Sequence, residues 1–333
     1  MNQPLILTGS TPNTALTAED GPTRLIGRIV AEVQLAVMTA ALDLVETEND
    51  RSIDLDRAVV LFVILRAGYA RQPGLTAGDD AATISINAMA SSLNRPFETV
   101  RRHVNALIAA GICCKCRRGV CISSDFAGSA VLERTIGRVH DAMVLLIVYV
   151  RRHGIALPPQ RPDIAYDKDA TIAAALDLLL AAFEYVTPYY SDWMEMRVLN
   201  AIIAANARRV TFDPGLAQMY ARRDTIPPDR LRVPVSVAEV ARVMRIPYST
   251  TQRYVNRAIA EGRLRRVTGG VLATQELLAQ PAVQVAGPAA MAKAMRAFGR
   301  LVPGGFPFDD PASCYLVGPP DLLDFGTGMP AMI

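Results

Sequence analysis

Two stretches of the chain carry the same order of apolar and polar positions, 151 residues apart and without a gap. In the first, Ile86, Met89, Ala90 and Leu93 fall at i, i+3, i+4 and i+7, which predicts a short amphipathic helix with Ser85 as its N-cap. Asn94-Arg95 then turn the chain into Pro96. Proline is accepted at a helix start but not deep inside one, so a second helix is predicted from near Pro96. Val100, Val104, Leu107 and Ile108 form its apolar stripe, and Glu98, Arg101, Arg102 and Asn105 form a polar ridge opposite. Gly111 supplies the stop. The short runs Ile112–Cys116 and Val120–Ser123 around Arg117-Arg118-Gly119 read as a β-hairpin.

Residues 237–271 repeat this pattern. Ser236 with Glu239 makes a capping box, the second helix starts near Pro247, and its ridge is Ser249, Gln252, Arg253 and Asn256. Leu264–Val267 and Val271–Ala273 flank Thr268-Gly269-Gly270. Between 86–120 and 237–271, 11 of 35 aligned pairs are identical, among them Ala90/Ala241, Pro96/Pro247, Arg102/Arg253, Asn105/Asn256 and Gly111/Gly262. Others keep their character, as Phe97/Tyr248 does. Two copies of one module follow. The flanks match more weakly: apolar runs Ala58–Leu65 and Val198–Ala205 precede the two copies, and Arg24-Leu25-Ile26-Gly27-Arg28 is like Arg134-Thr135-Ile136-Gly137-Arg138. Residues 206–235 read as extra loop, marked by Asp213-Pro214-Gly215 and Pro227-Pro228.

Helix, tight turn, helix and basic hairpin, taken twice, resembles the winged helix-turn-helix of bacterial transcription regulators such as the MarR, GntR and DeoR families. The residues that carry the resemblance are Ala90, Leu93, Pro96, Thr99, Val100, Arg101, Arg102, Val104, Asn105, Leu107 and Gly111. Their counterparts are Ala241, Met244, Pro247, Thr250, Arg253, Val255, Asn256 and Gly262 with the run Leu264–Gly270. The turn lacks the usual Gly or Ser, and proline stands where a Ser or Thr cap is common. The resemblance implies a mainly α fold with small β-hairpin wings, two such modules around a helical central body. The division expected is a mobile leader at 1–22, a first winged-helix half at 23–130, central helices at 131–190, a second half at 191–280, and a C-terminal helix with a Pro/Gly-rich tail at 281–333. Apolar helices near 24–46, 134–152 and 170–186 would join the modules, and the tail's helix is expected at Ala289–Leu301.

Composition narrows the class. With 333 residues, 51% hydrophobic and 20% charged, the chain is long and apolar enough for two or three folded domains. Five cysteines are too few for a disulfide scaffold and fit a reducing cytoplasm. The first 21 residues lack the charged start and apolar run of a signal peptide. Ala142–Val150 is too short to span a bilayer, and Ala170–Val186 carries Asp177 and Glu184, so no membrane partner is expected.

Charge is segregated. Residues 86–125 hold six Lys/Arg against two carboxylates, a net of +4, and residues 235–275 hold seven against two, a net of +5. The whole chain carries +3, which leaves −6 for the rest. Two basic modules on an acidic body is the distribution expected of phosphate-binding surfaces. Arginine pairs bidentately with guanine, and asparagine or glutamine with adenine, when a helix enters the major groove. Arg101, Arg102, Asn105, Gln252, Arg253 and Asn256 supply those groups; Thr99, Ser249 and Thr250 suit phosphates; Arg95 and Glu98 complete the first surface. The hairpin residues Arg117, Arg118, Arg265 and Arg266 suit the backbone or the minor groove.

A sequence-specific double-stranded DNA-binding regulator is therefore expected, a monomeric pseudo-dimer on an imperfect palindrome because the two ridges differ. The competing reading, a merely solvated helix face or a protein-binding module, loses ground because both copies are basic and both present Arg-x-x-Asn. A plasmid-type replication initiator with two winged helices, or a scaffold or chromosome-organising protein, are the alternatives.

Other constellations have bland readings. Cys113, Cys116 and Cys121 align with Leu264, Val267 and Leu272, so small core residues are expected rather than a metal or redox site; only Cys114 aligns with a polar residue, Arg265. Glu184, Tyr185, Tyr189, Tyr190, Asp192 and Trp193 form an aromatic and acidic cluster that reads as a packed corner, or as a site for a small-molecule effector that is cationic or aromatic. His103 is expected at the flank of the second helix, and His140-Asp141 to be structural. With no phosphate loop, nucleophile elbow or metalloprotease motif, no enzyme activity, cofactor or metal is expected.

Overall fold

The computed structural model describes residues 21–44, 55–69, 82–186, 190 and 192–326. The leader lies outside the described residues except for Gly21 and Pro22. The chain is mainly helical, with two antiparallel two-stranded hairpins. In order come α1 (Thr23–Ala40), a 3-10 turn (Ala41–Leu44), α2 (Leu55–Tyr69), α3 (Ile86–Leu93), α4 (Phe97–Ala109), β1 (Cys113–Cys116), β2 (Gly119–Ile122), α5 (Ser124–Ala127) and α6 (Ala130–Arg152). Then follow α7 (Lys168–Val186), α8 (Trp193–Phe212), α9 (Pro214–Met219), α10 (Val237–Val243), α11 (Tyr248–Ala260), β3 (Leu264–Val267), β4 (Gly270–Ala273), α12 (Gln275–Ala279) and α13 (Pro281–Leu301).

The constant offset is visible in the backbone. From α3 and α10 through α6 and α13, each element starts 151 residues after its counterpart, so the correspondence continues past the hairpins into a long helix. Local chemistry explains the agreement. Ser85 accepts from the Ala88 amide and Ser236 from the Glu239 amide, each closing the first turn of its helix. Pro96 and Pro247 act as N-caps rather than as first helical residues. The tight turn needs one left-handed residue, Asn94 at φ 48° and Arg245 at φ 53°. Asparagine tolerates that conformation; arginine is strained there by roughly 1 kcal/mol. Copying the first half with Arg245→Asn is therefore expected to stabilise the protein by about 0.5–1 kcal/mol, read as a higher urea midpoint. An unchanged or lower midpoint would show that contacts of the arginine side chain outweigh the strain.

Each hairpin gains a third, one-residue strand. Ile84 exchanges both backbone bonds with Val120 (3.1 and 2.9 Å), and Val235 does the same with Val271 (3.3 and 2.9 Å). The register pairs Cys114 with Cys121 and Arg265 with Leu272. The crossing strand explains Gly119 and Gly270: both have positive φ, and a Cβ at either would overlap the carbonyl of Ile84 or Val235.

The halves interlock. Helix α1 packs on α6, α8 and α13, while α7 packs on α13, α2 and α6, so the central helices and α13 bridge the two modules. Leu35 of α1 is buried in the core around α8, α10 and α11, and a larger core joins the first hairpin module to α1, α2, α6, α7 and α13. Where α1 crosses α13, Gly27 lies against Gly287 with no room for a side chain on either. Buried Arg197 of α8 donates to the Met244 carbonyl at the end of α10 (2.5 Å) and reaches Thr39 of α1 (3.5 Å). Its guanidinium is pushed down to about 9, first by burial and then by Arg245.

Three expectations are corrected. The helix expected at 289–301 begins at Pro281, because Pro281 sits harmlessly in the first turn and Pro288 is carried inside a helix held on both sides. Residues 206–212 belong to α8, and 214–219 form α9 capped by Asp213, so the extra loop is shorter than Asp213-Pro214-Gly215 implied. Arg24–Arg28 opens α1 whereas Arg134–Arg138 lies in α6, elements with different places in the succession. The apolar runs before the two copies lie in α2 and α8, each a long helix ahead of its module.

The tail over residues 302–326 is a strap. Asp141, fully buried on α6, accepts the amides of Leu316, Val317 and Gly318 (2.8, 2.7 and 2.9 Å). Arg208 donates to the Leu323 carbonyl (2.5 Å), and Phe325 is buried in the second core. Among the described residues no helix is long and apolar enough to cross a membrane.

Candidate nucleic-acid interface

Each second helix of a pair buries one stripe and frees the other. In α4, Val100, His103, Val104 and Leu107 are buried; in α11 the counterparts are Thr251, Tyr254, Val255 and Ala258. The buried polar groups reach an acid at the start of the preceding long helix: His103 Nε2 lies 3.6 Å from Asp56 of α2, and the Tyr254 hydroxyl donates to Asp192, the N-cap of α8 (3.0 Å). The buried stripes, with the Tyr254–Asp192 bond added on α11, fix the rotation of α4 and α11 about their axes, and so which residues face water.

The outward ridges are the ones the sequence marks. Glu98, Arg101, Arg102 and Asn105 of α4 are exposed, as are Ser249, Arg253 and Asn256 of α11, while Thr99, Thr250 and Gln252 are half-buried. Arg117, Arg118 and Arg266 on the hairpins are exposed too. The ridges differ in how their groups are held. Arg101 is clamped by Glu98 (2.9 and 2.6 Å). On α11 a chain of bonds runs from the Tyr248 hydroxyl to Gln252 (2.9 Å), from Gln252 to Asn256 (2.7 Å), and from Arg266 to Asn256 (2.9 Å). That chain ties the hairpin to the helix. The Arg253 guanidinium sits 5.3 Å from the Tyr254 ring.

Two expected residues face elsewhere. Arg95 lies over the indole of Trp193 at 4.0 Å, a cation–π contact that spans the halves and takes it out of the ridge. Arg265 pairs with Asp229, which also holds Arg232, so its charge is answered by the body of the protein. Burial pushes the Asp229 carboxyl up, but hydrogen bonds from Arg232, Gln275 and Arg265 together outweigh it and hold the carboxyl below its ordinary value. Phe97 and Tyr248, missed by sequence reasoning, are 43% and 55% exposed at the matching first residues of α4 and α11. Their pairing is visible in the repeat; their exposure is not, because an aromatic beside an apolar stripe reads as core.

The cysteines separate by strand face. Cys113 points to the core, and burial pushes its thiol up to about 12. Cys114, Cys116 and Cys121 share the other face, with all three sulfurs within 4.8 Å of one another and Cys116 joined to Cys121 as a disulfide. Cys121 is buried like Cys113, as expected of a small core residue, whereas Cys116 is half-buried; the hairpin register brings both Cys116 and Cys121 to Cys114. Three thiolates so placed suit a soft cation only once that disulfide is reduced.

Of the aromatic and acidic cluster, Trp193 is buried against Phe183 and Arg95, Asp192 is occupied as a cap, and Tyr190 donates to Asn200 (3.1 Å). That part packs as a corner, and Tyr190 and Asn200 also line a cavity beside it; the side chains of Glu184, Tyr185 and Tyr189 lie outside the described residues. His140 is buried between Asp141 (2.8 Å) and the Tyr166 hydroxyl.

No family model matches the chain, and no curated protein or solved structure matches it.

Proposed function

We propose that this protein is a sequence-specific double-stranded DNA-binding regulator in which two winged helix-turn-helix modules, descended from one, act as a covalent pseudo-dimer and perform no catalysis. One observation carries the reading. The ridges Arg102/Asn105 and Arg253/Asn256 stand exposed at a constant offset on helices that bury corresponding stripes, each with an arginine-bearing hairpin beside it. Such ridges have the groups and the shape for the major groove, and the hairpins have the charge for flanking phosphates. The dissimilar partners of Arg101 and Gln252 favour unlike half-sites.

The test is a duplex titration at two salt concentrations. A surface that neutralises about six phosphates loses roughly 10³-fold in affinity between 50 and 200 mM salt. A steep, linear dependence of log affinity on log salt is expected, with a selected duplex bound more tightly than a random one at both. Affinity that is flat with salt would remove the proposal and favour a protein-binding role for the modules.

A further inference from the structure

A cavity of about 260 Å³ lies between α1, α8, α12 and α13, and no residue of α4 or α11 lines it. Its walls are mainly apolar, from Ile203, Leu277, Leu278 and Val283 among others. Its charged lining, among the described residues, is entirely cationic. Arg232 and Arg263 are answered by Asp229 and Glu195. In the first turns of α1, the charge of Asp224 acts on Arg24, whereas the charged neighbour of Arg28 is Arg24 itself. Arg28 gives Nε to the Thr211 hydroxyl (3.1 Å) and Nη1 to the Tyr220 carbonyl (2.8 Å), and its Nη2 is buried without a partner. Arg24 gives Nη2 to the Arg223 carbonyl (2.9 Å), and its Nε is buried without a partner. The Thr23 hydroxyl, fully buried one position earlier, has no partner either.

Three donors on residues that line one cavity lack acceptors, two of them on guanidinium groups, and an anion held there would supply them. Burial, and then the nearby charge of Arg24, push the Arg28 guanidinium down to about 9, as expected of a cation without a counter-charge. Most of the remaining wall is apolar, broken by polar side chains such as Asn200, Asn206 and Gln284. We propose that this cavity binds a small amphipathic carboxylate, its head on Thr23, Arg24 and Arg28 and its apolar body against Ile203, Leu277 and Val283.

Occupancy would also reach the second hairpin. Asn206 lines the cavity, donates to the Val233 and Val271 carbonyls (2.7 and 3.1 Å) and accepts from the Ala273 amide (2.9 Å). It therefore pins β4 from inside the site. This coupling rests on the DNA-binding reading, whereas the site itself does not.

Calorimetric titration of the full chain without DNA tests the site, using octanoate, 1-octanol and octylamine as probes with one apolar body and three heads. Octanoate is expected to bind one to one and at least tenfold more tightly than either of the others. Arg28→Met should bring octanoate to within twofold of octanol and leave octanol unchanged. Ala31→Phe, which fills the cavity without altering charge, should abolish binding of octanoate in a chain whose helical circular dichroism is intact. Octanoate binding no tighter than octanol, or binding that survives Ala31→Phe, would overturn the proposal. With the site established, saturating octanoate is expected to change duplex affinity at least threefold; unchanged affinity would overturn the coupling alone.

Discussion

Replacing Arg102 and Arg253 together by alanine is expected to weaken specific duplex binding by about 2–6 kcal/mol, from roughly 1–3 kcal/mol for each arginine that reads a base edge. Both side chains are exposed on the outer faces of α4 and α11, and Arg253 gives up only its contact with the Tyr254 ring, so the folded chain should survive both changes. The effects should add, because each arginine belongs to its own module. Each single variant should relax base preference in one half-site and leave the other intact. Arg95→Ala is the matched control: its guanidinium stacks on Trp193, so its loss should cost stability at the α8 corner rather than half-site discrimination. Full specific affinity in the double variant, with the salt dependence unchanged, would show that α4 and α11 do not enter the groove.

Asp141→Ala is expected to be the most damaging single change to the fold away from the ridges. The fully buried carboxylate accepts from His140 (2.8 Å) and from three consecutive tail amides. Its removal leaves four donors without an acceptor, and breaking a buried charged constellation of this kind costs about 3–5 kcal/mol. The tail should also come free, read as early proteolytic cleavage near Leu316–Gly318 at a protein concentration where the parent resists. A pH signature accompanies it. Burial alone would raise the Asp141 carboxyl, but the bonds from His140 and the amides of Leu316, Val317 and Gly318 outweigh it and hold the carboxyl below its ordinary value. A folded value below the unfolded one means stability that is present above about pH 4, the unfolded value, and is lost as pH falls through the folded value. Asp141→Asn should flatten that acid limb. A loss under about 1 kcal/mol in Asp141→Ala, with the tail still protected, would show that the strap is held elsewhere.

The parts of the fold that were legible in sequence are those whose causes are local. Ser85 and Ser236 cap, Pro96 and Pro247 start helices, and Gly119 and Gly270 mark the hairpin turns, each within a few residues of what it determines. The ridges were legible for the same reason, since helical spacing places Arg102 and Asn105 on one face. What was hidden depends on partners far along the chain. Nothing in the periodicity of α1 states that it packs across to α8 and α13, because an apolar stripe specifies a face and not its occupant. Arg95 and Arg265 look like ridge residues until Trp193 and Asp229 of other elements come to meet them. The early start of α13 was masked by Pro281, Gly287 and Pro288, residues that disfavour an isolated helix and are tolerated in a packed one. Asp141 gives no sign in the sequence of the three amides it holds, since those lie 175 or more residues away.

Two unlike readers in one chain is the claim that holds the account together, and binding-site selection from randomised duplexes tests it most directly. The parent should enrich an imperfect palindrome whose halves differ. The variant Glu98→Ser with Arg101→Gln, which gives the α4 ridge the Ser, Gln, Arg and Asn of α11, should enrich a more symmetric site. A perfect palindrome for the parent, or no enriched duplex at all, would contradict the account.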